Sequence, residues 1–183
     1  MQQKHSLEER SKLDYYGTDP RSTEVLLKVE TFNHNIWEPC AGHHLISNKL
    51  IEYGYEARNS DIANYEGFDH EILNFLDCNE SWNGDIVTNP PYSLSTDFIC
   101  KALDILKDGS KLACFLRLQY LEGNARYATI FKNNPPKTIY IFINRQTSSK
   151  VDNFNESSSG TYCWYVWEKG FKGDPIIKWI STK

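Results

Sequence analysis

The stretch DIVTNPPYS, Asp85 to Ser93, decides the architecture. Its apolar middle reads as a buried strand, and that strand has to stop at Pro90 and Pro91, because proline has no N–H to give to a central ladder. The next segment, residues 95–110, is the clearest helix in the chain. Ser95 or Thr96 is expected to cap its start and Gly109 to stop it. A strand that runs straight into a helix is half of a βαβ unit.

Outward from this unit the same alternation repeats. Upstream, Thr18-Asp19-Pro20 is a helix-start signal, since Asp caps and Pro suits the first helical position. Val25, Leu26, Val29 and Phe32 then share one helical face. Residues 35–42 read as a short buried strand ending in a Gly turn, 45–55 as a helix, and 56–62 as a second strand ending near Asp61. Residues 71–77 fit either a strand or a short helix. Downstream, 111–121 form a strand with its exit loop, and 123–132 a helix stopped by Pro135-Pro136. Residues 137–145 form another strand, and 146–160 a polar, Ser-rich loop. In 161–170 aromatic and polar residues alternate as in a final strand, with Tyr162, Trp164, Tyr165 and Trp167 mostly in the core at alternate positions; 176–180 adds an edge. Strands alternating with helices give an α/β fold, a mainly parallel sheet with helices on both faces. The last two strands have no helix between them, so an antiparallel pair is expected at the C-terminal end.

Composition bounds the function. The 183 residues are 40% hydrophobic, with 5 Trp and 11 Tyr, enough for a single packed domain. Residues 1–14 are polar and read as a flexible tail, leaving 15–183 as the domain. The start of the chain has no apolar signal core and no segment suits a membrane span, so a cytoplasmic protein is expected. The net charge of −4 argues against attachment to nucleic acid by bulk charge; such contact has to be local, weak or helped by a partner. The five cysteines form no C-x-x-C pair and their number is odd, which points to a reduced protein without a zinc site.

In parallel sheets ligands gather at the carboxyl ends of strands, and three exits stand out. Glu38-Pro39-Cys40-Ala41-Gly42 ends in a glycine that lets backbone approach a ligand. Asp61 follows Gly42 by 19 residues, the spacing at which a dinucleotide-type site places a ribose-binding acid. Alone it would be an ordinary turn acid. The third exit is the opening stretch. Asn89 at the end of a buried strand has little structural purpose. Its amide oxygen and the Pro90 carbonyl can both accept from one –NH2 group, with proline rigidity holding their geometry and Tyr92 stacking on the ring beside it. An exocyclic amine is a poor nucleophile, because its lone pair is delocalised into the ring. Two acceptors favour a pyramidal nitrogen and the positive charge that grows on it during methylation. The methyl must then come from a sulfonium donor held in line.

At these residues the chain resembles the S-adenosylmethionine-dependent N6-adenine/N4-cytosine DNA amino-methyltransferases, and most of all the compact phage-type adenine enzymes. Their catalytic tetrapeptide is matched by Asn89-Pro90-Pro91-Tyr92, their cofactor motif by Glu38 to Gly42, and their N-terminal cofactor element by Thr18-Asp19-Pro20. The resemblance covers roughly Tyr15 to the last aromatic strand and implies a Rossmann-like methyltransferase fold. It also implies that Thr18 and Glu38, with Pro39, Ala41 and Gly42 around them, hold the methionine part of the donor, and that Asp61 holds the ribose. Asn89 and the Pro90 carbonyl would take the amine, and Tyr92 the base. Where the family has an acid for the cofactor adenine, this chain has Asn74, with Asp77 three residues later as the other candidate. The cofactor loop also lacks the second glycine. The expected partner is DNA with a flipped or single-stranded target adenine, in a bacterial or phage-infected cell, with a specificity partner as a further option. The loop 146–160, with Lys150 and the flanking Arg145, is the candidate DNA contact. Arg117 and Arg126 are candidates for phosphate contacts, with salt bridges the favoured role. His43 and His44 border the donor loop. Alternatives are the same chemistry on RNA or on a protein glutamine amide, and a degenerate methyltransferase fold that only binds.

Overall fold

In the computed structural model, residues 15–149, 152–154 and 160–183 are described; the expected tail at 1–14 lies outside them. The organising strand is Asp85–Thr88, four buried residues that end just before Asn89. Asp85 itself is a structural staple. It is buried, its Oδ2 accepts from the Asn33 N–H at 2.6 Å, and its Oδ1 accepts from the Lys111 N–H at 2.7 Å. Three chain segments are thereby tied at the base of the sheet.

In chain order the strands are β1 (Gly17–Thr18), β2 (Asn35–Glu38), β3 (Glu56–Asp61), β4 (Glu71–Ile72), β5 (Asp85–Thr88), β6 (Lys111–Arg117), β7 (Thr138–Phe142), β8 (Ser148–Ser149), β9 (Tyr162–Glu168) and β10 (Ile176–Ile180). The helices are α1 (Pro20–Val29), α2 (Leu45–Glu52), α3 (Ser95–Ile105) and the short α4 (Asn124–Arg126), which runs on as a π-turn over Tyr127–Phe131. The described residues form an eight-stranded sheet in the order β10-β7-β9-β6-β5-β2-β3-β4 and a two-stranded one, β1-β8. From β6 through β5 and β2 to β4 every pairing is parallel. The reversed direction expected near the C-terminus is carried by β9, which pairs antiparallel with β6 on one side and β7 on the other. β10 lies at the edge, parallel to β7. This is a Rossmann-like methyltransferase fold.

Period-two alternation divides the central strands between two apolar faces. Ile86, Leu112 and Cys114 face α3, with Ile99 and Leu103; Val87, Ala113 and Phe115 face α1 and α2, with Leu26 and Leu50. β9 goes further than the expected alternation: Tyr162 to Trp167 are all buried. Its inner place, with strands on both sides and apolar side chains on both faces, accounts for that.

The α3 cap differs from expectation. Neither Ser95 nor Thr96 caps the helix; the cap position is Leu94 and has no side-chain bond. A 3-10 turn, Tyr92–Leu94, runs directly into the helix, so Ser95 already has helical angles. Its Oγ donates to the Tyr92 carbonyl at 3.0 Å, while Thr96 meets the Tyr120 hydroxyl at 2.9 Å. At the other end α3 stops at Ile105, because Leu106 turns extended and bridges to Trp82; Gly109 serves the following turn, with φ +83°. The ambiguous segment 71–77 holds both options in succession, strand β4 and then a 3-10 turn over Phe75–Asp77.

Candidate active site

The carboxyl ends of β2, β3 and β5 open into one cavity of about 980 Å³, counting its open mouth. Thr18, Glu38, Pro39, Ala41, Asp61, Asn74, Asn89 and Pro91, all singled out from the sequence, line it. Gly42, Asp77, Pro90 and Tyr92 do not. Among the described residues no lysine or arginine lines it, while two buried acids do. Glu38 Oε2 accepts from the Ser47 N–H at 2.8 Å. Burial pushes its carboxyl well above the usual carboxylate range; the Ser47 bond works against that and the nearby Asp61 adds to it. Burial also raises Asp61, opposed by backbone N–H groups of Ala63 and Gly42. Two desolvated carboxyl groups thus share one cavity, and burial disfavours the charged form of each.

Asp61 builds the loop that carries Gly42. Its Oδ2 accepts from the Gly42 N–H and its Oδ1 from the Ala63 N–H, each at 3.0 Å. Gly42 sits at φ +47°, and a Cβ there would come within 2.3 Å of the Tyr15 ring. Its role is to let the chain pass under Tyr15, while His44, two residues on, takes a left-handed φ of +58° without being a glycine. Asn74 and Asp77 touch but differ in access: Asn74 lines the cavity, and its Nδ2 donates at 2.9 Å to Asp77, which is exposed and outside the lining.

A strap that sequence reasoning missed closes the cavity. Tyr15, Tyr16, Gly17 and Thr18 line it as a continuous segment, and β1 within that segment pairs antiparallel with β8. The Tyr15 hydroxyl donates to Asp152 at 3.0 Å, and the other Asp152 oxygen meets His43 Nδ1. The signal available was the Tyr-Tyr-Gly run before Thr18, which nothing local marks as a strap. Part of the loop expected to contact DNA is thus bound to the strap: β8 pairs with β1, and Gln146 is buried, accepting from the Ser22 hydroxyl at 2.8 Å. Lys150 and residues 155–159 lie outside the described residues.

Asn89 is the best-defined group in the cavity. Its Nδ2 donates to the Tyr16 carbonyl at 2.7 Å, and its Oδ1 is buried with no hydrogen-bond partner among the described residues. Thr18 Oγ1 is likewise buried and unpartnered. A buried acceptor without a partner costs about 1–3 kcal/mol, so both atoms suit a polar ligand. Tyr92 stands just outside the cavity lining. Its ring lies 5.3 Å from that of Tyr16, its hydroxyl donates to Tyr162 at 3.2 Å, and the Arg117 guanidinium is 5.6 Å from its centroid. The favoured salt-bridge role for the two arginines is absent among the described residues. Arg126 instead bonds the carbonyls of Tyr120 and Glu122, and Arg117 contacts only aromatic rings and the Tyr162 hydroxyl. Among the described residues no group of three His, Cys, Asp or Glu could hold a metal, all five cysteines are free, and no helix is long and apolar enough to cross a membrane.

No protein-family model and no curated protein matches the chain. Solved structures do. A presumed hemolysin from Lactococcus lactis superposes with TM-score 0.61 at 12% identity, over 91% of this chain and 95% of its own. The M protein of the type I restriction enzyme EcoKI gives 0.60 at 12%, over 85% and 44%. A protein predicted to be an O-methyltransferase, from Agrobacterium tumefaciens, gives 0.59 at 14%, over 89% and 85%. At such identities the likeness establishes the fold, and the chemistry has to be argued from the site.

Proposed function

We propose that this protein transfers a methyl group from S-adenosylmethionine to an exocyclic amine, adenine N6 in DNA. The observation that carries the reading is the Asn89 amide in the cavity wall, pinned through its nitrogen and with a buried oxygen that has no partner among the described residues. The donor is a sulfonium cation that supplies an electrophilic methyl group. Glu38 and Thr18 would hold its methionine end, Asp61 its ribose and Asn74 its adenine. Two buried acids and the lack of any cation in the lining suit a positively charged donor. Tyr15 to Thr18 close over it and keep water out.

On the acceptor side, Asn89 Oδ1 and the Pro90 carbonyl take the two amine hydrogens and stabilise charge growing on nitrogen. The amine proton leaves after methyl transfer, so no general base is required. A base inside a duplex cannot reach Asn89, so the adenine is flipped or the substrate is single-stranded. A DNA-modifying M protein among the structures sharing the fold is consistent with nucleic acid as acceptor. The test is mass spectrometry of nucleosides from DNA incubated with the purified protein and donor. N6-methyladenine is expected; donor binding without any methylated DNA base would sink the reading.

A further inference from the structure

Arg117 is the residue at the site whose charge the folded chain leaves unused. It ends β6, next to the exit of β5, and it is exposed. Arg21, Arg58 and Lys111 each pair with a carboxylate, and Arg126 is spent on two carbonyls. Among the described residues Arg117 does neither. Its guanidinium lies 5.6 Å from the Tyr92 ring centroid and 5.9 Å from that of Tyr162, with the Tyr162 hydroxyl as its hydrogen-bond partner. Near two aromatic rings and bonded to one hydroxyl, the guanidinium is held in place while most of its five N–H donors have no partner among the described residues.

Its position relative to Asn89 gives the ligand class. Contacts run in a chain from Asn89 to the Tyr16 carbonyl, from the Tyr16 ring to Tyr92, and from Tyr92 to Arg117. The site therefore offers an amine acceptor at one end, aromatic rings between, and a free guanidinium at the other. A nucleotide presents the matching sequence of amine, flat ring and anionic phosphate. The need is also electrostatic. The chain carries a net charge of −4 and the cavity holds two acids, so an anionic polymer meets repulsion unless a cation stands at the point of entry.

We propose that Arg117 anchors a backbone phosphate of the acceptor strand and thereby places its adenine at Asn89. This rests on the proposed activity. It adds that this residue binds the backbone of the acceptor strand.

The test compares wild type with Arg117→Gln and Arg117→Lys, using a fluorescent single-stranded oligodeoxynucleotide containing adenine at several NaCl concentrations. Arg117→Gln is expected to weaken binding by roughly tenfold and to flatten the dependence of log affinity on log salt by about 0.7, the share of one single-strand phosphate. Arg117→Lys keeps the slope. Donor affinity by calorimetry is unchanged, and methylation of deoxyadenosine, which has no phosphate, is equal in all three proteins. Wild-type affinity and slope in Arg117→Gln, with the oligonucleotide still methylated, would overturn the role of Arg117 alone. A wild type that binds donor but neither binds nor methylates the oligonucleotide would overturn the activity reading, and with it this proposal.

Discussion

The Asn89 side-chain nitrogen donates to the Tyr16 carbonyl oxygen at 2.7 Å, and this bond ties the amide to the strap while its Oδ1 stays buried without a partner among the described residues. On the proposed mechanism, the strap that borders the cavity thus also positions the amine acceptor.

Asn89→Ala should therefore abolish methyl transfer while leaving donor affinity within a few-fold of wild type. Loss of one preorganised acceptor costs on the order of 100- to 1,000-fold in kcat, and a second contact is lost at the Tyr16 carbonyl. Asn89→Asp is expected to be equally inactive, because a carboxylate has no N–H for that carbonyl. Transfer from tritiated donor measures activity and calorimetry measures binding. Wild-type turnover in either variant would remove Asn89 from the mechanism.

Asp85 lies four residues before Asn89 on the same strand run and should behave in the opposite way. It is 1% exposed and accepts from Asn33 and Lys111. Asp85→Ala takes the acceptor from the Asn33 and Lys111 donors at once and is expected to cost about 1–3 kcal/mol of stability. Urea denaturation should show a lower midpoint with an unchanged slope. The fraction still folded should retain normal turnover.

Gly42 tests the close approach beneath the strap. Its φ of +47° costs an alanine about 1–2 kcal/mol, and the added Cβ would push Tyr15 away. Gly42→Ala should thus lower the urea midpoint and also weaken donor binding, since Tyr15 lines the cavity. A stability loss with unchanged donor affinity would mean that the strap is not coupled to the donor.

How far the sequence reaches is clear from these residues. Asn89, Glu38 and Asp61 were legible because each stands at a strand exit, where a polar residue needs a reason, and the βα alternation locates those exits. The strap was not legible. Its partners, Ser148–Ser149 and Asp152, lie more than a hundred residues away, and no local period announces pairing between two-residue strands. The inner place of β9 was hidden for a related reason: burial on both faces comes from tertiary neighbours, and the aromatic run alone does not reveal it. The missing α3 cap was a local misreading, because the Pro91-led turn delivers the chain into the helix already wound.

The two cavity acids carry the pH dependence. Burial raises Glu38 and Asp61 in the free protein, whereas unfolded carboxylates titrate at about 3.9 to 4.3. Between the unfolded and the raised folded values the native state holds more protons than the unfolded one. Their contribution to stability therefore falls as pH rises through that window. A cationic donor favours the ionised forms, so its binding should release protons, and its affinity should rise with pH until both acids are ionised in the free protein. Glu38→Gln separates the two effects. The amide oxygen can still accept from Ser47, but position 38 no longer carries an ionisable group beside Asp61. The variant should be more stable than wild type without donor at pH 7, bind donor at least about tenfold more weakly, and show a shallower pH dependence of binding. Urea midpoints and calorimetric titrations between pH 5 and 8 measure all three. If Glu38→Gln bound the donor as tightly as wild type, with the same pH slope, Glu38 would have no part in holding it.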